Sequence, residues 1–211
     1  MNKEIIPIFF TIDETYVPFA SVAIQSLIEN SSKNYNYKIF VIHQNIKKES
    51  IEKISKLKTE NCDIEFRPME NTLEIISDRA ENKLRCDYFT LTIFFRLFLA
   101  DMFPEYDKGL YLDSDIIVLG DIAELYHTNL ENNIIGACPD FSIQEVPVFY
   151  DYARGGFGKD LTEYINSGIL VLNLKMMREK KFSQKFLYLL NKYHFDCVDP
   201  DQAYLNAMCI R

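Results

Sequence analysis

The chain has 211 residues, 48% hydrophobic and 26% charged, and a formal charge of −8. That length suits one domain with a sizeable core, and seven Gly and seven Pro leave no room for a long linker. The acidic balance, with no basic stripe expected to offset it, argues against nucleic acid as a partner, and an acidic protein that handles an anion needs a local cation. The five cysteines, Cys62, Cys86, Cys138, Cys197 and Cys209, are odd in number, widely spaced and without a Cys-x-x-Cys pair. They exclude a zinc knuckle or redox pair and read as reduced thiols of a cytoplasmic protein. Ile5 to Phe10 is too short for a signal core, and Phe89 to Phe103 is too short to span a bilayer and carries Arg96. A soluble cytoplasmic chain is expected, with attachment at the inner face of a membrane and homo-oligomerisation left open.

Ile5 to Phe10 is a continuous apolar run, as in a strand buried on both faces. Ala20, Ala23, Ile24, Leu27 and Ile28 predict a helix over Val17 to Glu29. Tyr37 to Ile42 reads as a second strand, Lys47 to Leu57 as a helix with Ile51, Ile54 and Leu57 on one face, and Cys62 to Phe66 as a third strand. This β-α-β-α-β order predicts an α/β fold whose parallel sheet has right-handed crossovers and a ligand beyond the carboxyl ends of its strands. Leu91, Phe94, Phe95, Phe98 and Met102 predict an apolar helical face. Strands follow at Leu110 to Leu112, Ile116 to Leu119, Ile134 to Cys138 and Ile169 to Leu174, and a helix at Phe182 to Tyr193. Phe141 to Thr162, with Gly155, Gly156 and Gly158, reads as an irregular loop over the ligand.

The chemistry is carried by Asp113-Ser114-Asp115, which ends one apolar strand and begins the next. Unpaired buried charge is costly, so two such carboxylates call for a partner, and carboxylate oxygens suit hard ions such as Mg²⁺ and Mn²⁺ held together with substrate phosphates. Other residues admit two readings. Asp13 is either a helix N-cap or a ligand contact, and Tyr16 either packs or contacts ligand. Arg96, inside an apolar helix, either serves the ligand or pairs with an acid such as Asp113. Asn166 fits turn chemistry before Gly168, and Asp201 after Pro200 fits a helix N-terminus. His43, His127 and His194 show no ligand spacing and read as structural or exposed.

The series Arg96 to Asp101, Asp107 to Asp115, Ile116 to Leu125, Asn166 to Leu174 and Asp201 to Asn206 resembles glycosyltransferase family 8, over about Ile5 to Asn206. The resemblance implies a GT-A fold, a mixed but mostly parallel sheet flanked by helices, and one catalytic domain over 1–211. It implies retaining transfer of a hexose from UDP-glucose or UDP-galactose to a saccharide or glycolipid acceptor. Asp113 and Asp115 match the metal pair, holding Mn²⁺ or Mg²⁺. Thr11, Asp13, Tyr16, Arg96, Ser114, Asp140 and Asn166 match donor-binding positions, with Asp13 and Tyr16 at the uracil. Asp201 and Gln202 match the pair beside the anomeric carbon, where Gln202, a poor nucleophile, stabilises charge. Family members carry a later His-x-x-Gly-x-x-Lys-Pro segment that this sequence does not reach by Arg211. The chain is therefore expected to lack a third metal ligand and to turn over slowly. An alternative is a catalytically weak UDP-sugar-binding or general-stress protein on the same fold. A phosphohydrolase of the haloacid dehalogenase type would place its Asp-x-Asp on the first strand, and a glycosidase would need two carboxylates flanking the bond, so neither fits as well.

Overall fold

A computed structural model describes residues 3–69, 91–145, 161–193 and 200–209. Its centre is a six-stranded sheet in the order β3-β2-β1-β4-β6-β5. The strands are β1 (Ile5–Ile12), β2 (Asn36–His43), β3 (Cys62–Pro68), β4 (Gly109–Leu112), β5 (Ile135–Pro139) and β6 (Ile165–Leu172). β3, β2, β1 and β4 run parallel, whereas β6 is antiparallel to both of its neighbours. The mixed, mostly parallel α/β sheet is therefore as expected.

The central strands are apolar on both sides because both sides are covered. Ile6, Ile8, Phe10 and Ile12 of β1 pack with Ala20, Ala23, Ile24 and Leu27 of α1 (Val17–Glu29) and with Ile54 of α2 (Lys48–Ser55). Phe9, Phe40 and Tyr111 face the opposite layer, with Phe94, Phe95, Phe103, Phe182 and Phe186. Burying side chains of this kind is worth roughly 1.5–3 kcal/mol each, so the two layers supply most of the drive to fold. The helices α3 (Leu99–Met102), α4 (Ala123–Tyr126), α5 (Phe141–Gln144), α6 (Leu174–Glu179), α7 (Phe182–Tyr193) and α8 (Pro200–Cys209) complete the order. Among the described residues no helix is long and apolar enough to cross a membrane.

Three expectations need correction. Leu91 to Met102 is not one α-helix: a 3-10 helix over Leu91–Leu97 gives way at Phe98 to the single turn of α3. Phe94, Phe95, Leu97 and Phe98 are all buried, so this segment has no solvent face to impose a 3.6-residue period. Ile116 to Leu119 belongs to no ladder. Both edges of β4 are already taken by β1 and β6, so the departing chain crosses the end of α1 instead. There Ser26 Oγ accepts from Val118 N at 3.0 Å and Asn30 Nδ2 donates to Val118 O at 3.0 Å. Finally, β6 begins at Ile165, so Asn166, Ser167 and Gly168 lie within a strand, and Leu174 opens α6 behind the Asn173 cap. Within Phe141 to Thr162, Phe141–Gln144 is helical and Leu161–Glu163 forms a 3-10 turn; Gly155, Gly156 and Gly158 lie outside the described residues.

Cys62, Cys138 and Cys209 are free thiols, and Cys86, Cys197 and His194 lie outside the described residues. His127 is structural: its ring nitrogens meet Ala123 O at 2.9 Å and Glu4 Oε2 at 3.1 Å.

Candidate active site

Because β6 runs against β4, its first residues arrive where β4 ends. Asp113 N donates to Gly168 O at 2.7 Å, and this bond fastens the Asp113-Ser114-Asp115 segment to Asn166-Ser167-Gly168. The chain reversal brings together two motifs that lie more than fifty residues apart.

Arg96 sits at the middle of this junction, with only 6% of its surface exposed. Its guanidinium joins several groups: Nη2 lies 3.0 Å from Asp113 Oδ1, Nε lies 3.1 Å from Asp201 Oδ2, and Nη1 donates to Ser167 O at 2.7 Å. Its planar fork suits this task, which a lysine ammonium could not perform. The ring of Tyr111 lies beneath it, 4.2 Å from centroid to guanidinium carbon. Burial opposes the charge on Arg96, yet Asp201, Tyr111 and Asp113 outweigh it and hold the cation. Of the two readings open for Arg96, the structure shows the ion pair with Asp113 and adds a second one to Asp201.

From Arg96 the polar contacts run in both directions. Tyr111 Oη donates to Asp113 Oδ1 at 2.8 Å and lies 3.0 Å from Thr11 Oγ1. Burial pushes the Tyr111 hydroxyl well above its ordinary pKa, so it stays protonated and able to donate. On the other side Ser167 Oγ donates to Asp201 Oδ2 at 3.2 Å, and Ser167 N donates to Gln202 Oε1 at 2.9 Å. Gln202 Nε2 then donates to Asp140 Oδ2 at 2.8 Å. Asn166 Nδ2 reaches the same oxygen at 3.5 Å, while its Oδ1 accepts from Gly168 N at 2.9 Å. Thr11, Arg96, Asp113, Asp140, Asn166, Asp201 and Gln202 are thus joined in one continuous network.

Their charges are set by burial and by these bonds. Burial raises the Asp201 carboxyl, and neighbouring Asp113 adds to the rise, while Arg96 and Ser167 pull against it. Burial also pushes the Asp140 carboxyl upward, but donors from Ser142, Gln202, Ile143 N and Asn166 prevail and hold it below the usual range. Asp140 is at the same time the N-cap of α5.

The other four candidate residues stand outside the network. Asp13 is the N-cap of the Glu14–Tyr16 turn, accepting from Thr15 N at 2.8 Å and Tyr16 N at 3.2 Å with Oδ1 alone. Tyr16 is half-buried, with its ring 5.7 Å from that of Phe19. Ser114 is buried and Asp115 is exposed. Glu14, which the sequence did not single out, accepts from Lys47 N at 2.9 Å and Ser50 Oγ at 2.8 Å, tying the Asp13 turn to the start of α2. Ser167 and Tyr111 were also overlooked as working residues. Their only signal was adjacency to polar motif residues, which does not show which way a side chain turns. His43 closes β2 as a buried imidazole whose Nδ1 has no hydrogen-bond partner among the described residues.

The donor set at Asp113 and Asp115 fits a hard divalent cation shared with a ligand's phosphates. Asp113 Oδ1 is taken by Arg96 and Tyr111, whereas Oδ2 has no hydrogen bond among the described residues. Room for Oδ2 depends on Gly168: a Cβ there would lie 2.6 Å from Oδ2 and 3.3 Å from Asp113 Cγ. No group of three or more acidic, His or Cys side chains able to hold a metal occurs among the described residues, so two carboxylates and ligand oxygens would have to suffice.

Known proteins resemble this chain in sequence and in fold. A family model described as glycosyl transferase family 8 matches residues 7–211. A putative glycosyltransferase of Haemophilus influenzae is 29% identical over 203 residues, covering 96% of this chain and 58% of that protein. A lipopolysaccharide 1,2-glucosyltransferase of Escherichia coli K12 is 27% identical over 217 residues, covering 98% of this chain and 59% of that protein. The chain therefore spans less than two thirds of the length of these relatives. Among solved structures, the galactosyltransferase LgtC in complex with donor and acceptor sugar analogs superposes with a TM-score of 0.82 at 23% identity, covering 97% of this chain and 70% of LgtC.

Proposed function

The chain belongs to glycosyltransferase family 8, and on that premise we propose that it is a retaining transferase moving glucose or galactose from a UDP-sugar to a saccharide or glycolipid acceptor. It shares the GT-A fold of LgtC, and the proposed site lies where β4 ends beside the start of β6. The observation that carries the proposal is the network around Arg96. It fixes seven candidate residues relative to one another and leaves Asp113 Oδ2 and the Asp115 carboxylate without a hydrogen bond among the described residues.

Asp113 and Asp115 would hold Mn²⁺ or Mg²⁺. Bound there, the ion would supply charge neutralisation to the departing diphosphate. The remaining work falls to the chain. Asp13 and Tyr16 receive the uracil, with Asp13 Oδ2 left over from capping. Asp201 and Asn166 hold the sugar hydroxyls, and Arg96 keeps Asp201 in place. Gln202 is pinned at both ends of its amide. Donation of its N–H to the Asp140 carboxylate draws electron density toward Oε1, which then stabilises an oxocarbenium-like centre without forming a bond. A pinned amide is a poor nucleophile, so departure and attack on the same face is the route this arrangement serves.

The test is calorimetric titration of UDP with and without Mn²⁺, using the wild-type chain and Asp115→Asn. Metal-dependent binding that vanishes in the variant is expected. Equal UDP binding with and without metal, or no loss in Asp115→Asn, would overturn the assignment. Hydrolysis of UDP-glucose against UDP-galactose then identifies the sugar and separates a transferase from a weakly active binder.

A further inference from the structure

The chain is acidic overall, yet its charge is unevenly placed. Leu174 to Tyr193, which forms α6 and α7, carries Lys175, Arg178, Lys180, Lys181, Lys185 and Lys192 against a single acid, Glu179. This basic run corrects the expectation that the chain has no basic stripe. Arg178 turns inward, donating to Tyr106 O at 2.9 Å and pairing with Asp107 at 3.1 Å. The five lysines are exposed, and none has a carboxylate partner among the described residues.

On α7 the exposed positions Lys185, Tyr188 and Lys192 are spaced three and four apart, which places them on one side of the helix, and exposed Lys181 immediately precedes its first residue. Phe182, Phe186 and Leu190 occupy the other side and are buried in the core. Along the helix the stripe from Lys185 to Lys192 is about 10 Å long at 1.5 Å per residue. Tyr188 is 57% exposed, and Lys192 Nζ donates to its hydroxyl at 2.9 Å. Lys181 joins the two helices at φ 52°, in the left-handed region that favours glycine. A lysine kept there, exposed and without an ion-pair partner, costs folding energy that its charge does not repay within the chain.

We infer that this lysine face of α6 and α7 docks onto a bilayer containing anionic lipid head groups. Complementary charge selects the partner: unpaired lysines on an acidic protein favour a negative surface, and each lysine near one contributes about fivefold to the binding constant. Tyr188 suits the interfacial zone, where an aromatic ring with a polar tip is at home. A bilayer fits better than nucleic acid. Mobile lipids can collect beneath a short patch, whereas a rigid polyanion would extend past it and meet the acidic remainder of the chain. The inference does not depend on the donor assignment.

The test is co-sedimentation of the full chain with vesicles of neutral phosphatidylcholine, with and without anionic phosphatidylglycerol, at low and physiological salt. Binding at least about tenfold stronger to the anionic vesicles, weakening as salt rises, is expected. Lys185→Glu combined with Lys192→Glu should lower it more than about tenfold. Lys181→Gly separates docking from folding, because relief of the left-handed lysine should raise the melting temperature while vesicle binding falls. Equal binding to both vesicle types, no effect of charge reversal, or equally tight binding to a short DNA duplex would each overturn the inference.

Discussion

Gln202 and Asp140 hold each other in one orientation: Gln202 Nε2 donates to Asp140 Oδ2 at 2.8 Å, and the opposite end of the amide accepts from Ser167 N at 2.9 Å. With a donor and an acceptor both assigned, the amide cannot flip without breaking two buried bonds.

Asp140→Asn should therefore cut the rate of sugar transfer by more than about tenfold, with a smaller change in donor KM, because the amide loses a charged partner. The acid limb of stability should change as well. Asp140 titrates below its unfolded value, so its contribution is present above the unfolded pKa and is lost as pH falls through the folded one. Urea midpoints measured from neutral to acid pH should converge for the variant and the wild type at the acid end.

Arg96→Met leaves Asp113 and Asp201 without their shared cation, and a loss of about 3–5 kcal/mol in urea unfolding is expected. The pH dependence has the opposite sign to that of Asp140. Asp201 titrates above its unfolded value, so the folded chain binds the proton more tightly. That stability is present below the unfolded pKa and is lost as pH rises through the folded one. Removing Arg96 strengthens the effect, so the variant should weaken steeply from about pH 4 upward. A flat profile would mean that Asp201 is not buried beside Arg96.

Gly168→Ala would place a methyl 2.6 Å from Asp113 Oδ2 and 3.1 Å from Asn166 Oδ1. Mn²⁺ affinity in the presence of UDP should drop more than about tenfold, since the Asp113 carboxylate must turn away. The melting temperature should move far less than in Arg96→Met. Unchanged metal affinity, read by electron paramagnetic resonance of free Mn²⁺, would remove Asp113 Oδ2 from the metal assignment.

Tyr111→Phe deletes one hydroxyl that touches both Asp113 Oδ1 and Thr11 Oγ1. Stability should fall by about 1–2 kcal/mol, and metal affinity should fall with it, because among the described residues Asp113 keeps only Arg96 as a partner on that oxygen. Thr11→Val should lower stability but leave metal affinity nearly unchanged, which distinguishes the two branches of the hydrogen bond.

The sequence disclosed those parts of the fold that depend on period and length. The strands β1 to β3 and the helices α1 and α7 follow from runs of apolar residues with a single repeat. It misjudged segments governed by what surrounds them. Phe94 to Ala100 is buried at every position, and Ile116 to Leu119 looks like a strand but finds both edges of β4 occupied. Asn166 fits turn chemistry before Gly168, yet it lies in β6, where its side chain reaches Asp140 Oδ2 and accepts from Gly168 N. In the candidate site, motif residues were legible one at a time. Their linkage through Ser167, Tyr111 and a doubly paired Arg96 was not, because hydrogen-bond direction depends on a strand reversal that no local pattern encodes.

The double pairing of Arg96 also bears on how such a site can change over generations. One guanidinium neutralises a carboxylate on each of two motifs, so neither Asp113 nor Asp201 is free to vary alone. A substitution at either one releases part of the cation's charge onto the other and alters both halves together. Altered sugar preference should therefore arise around the rim, at residues outside the network. A lineage that abandons catalysis should lose Arg96, Asp113 and Asp201 as a group rather than one by one.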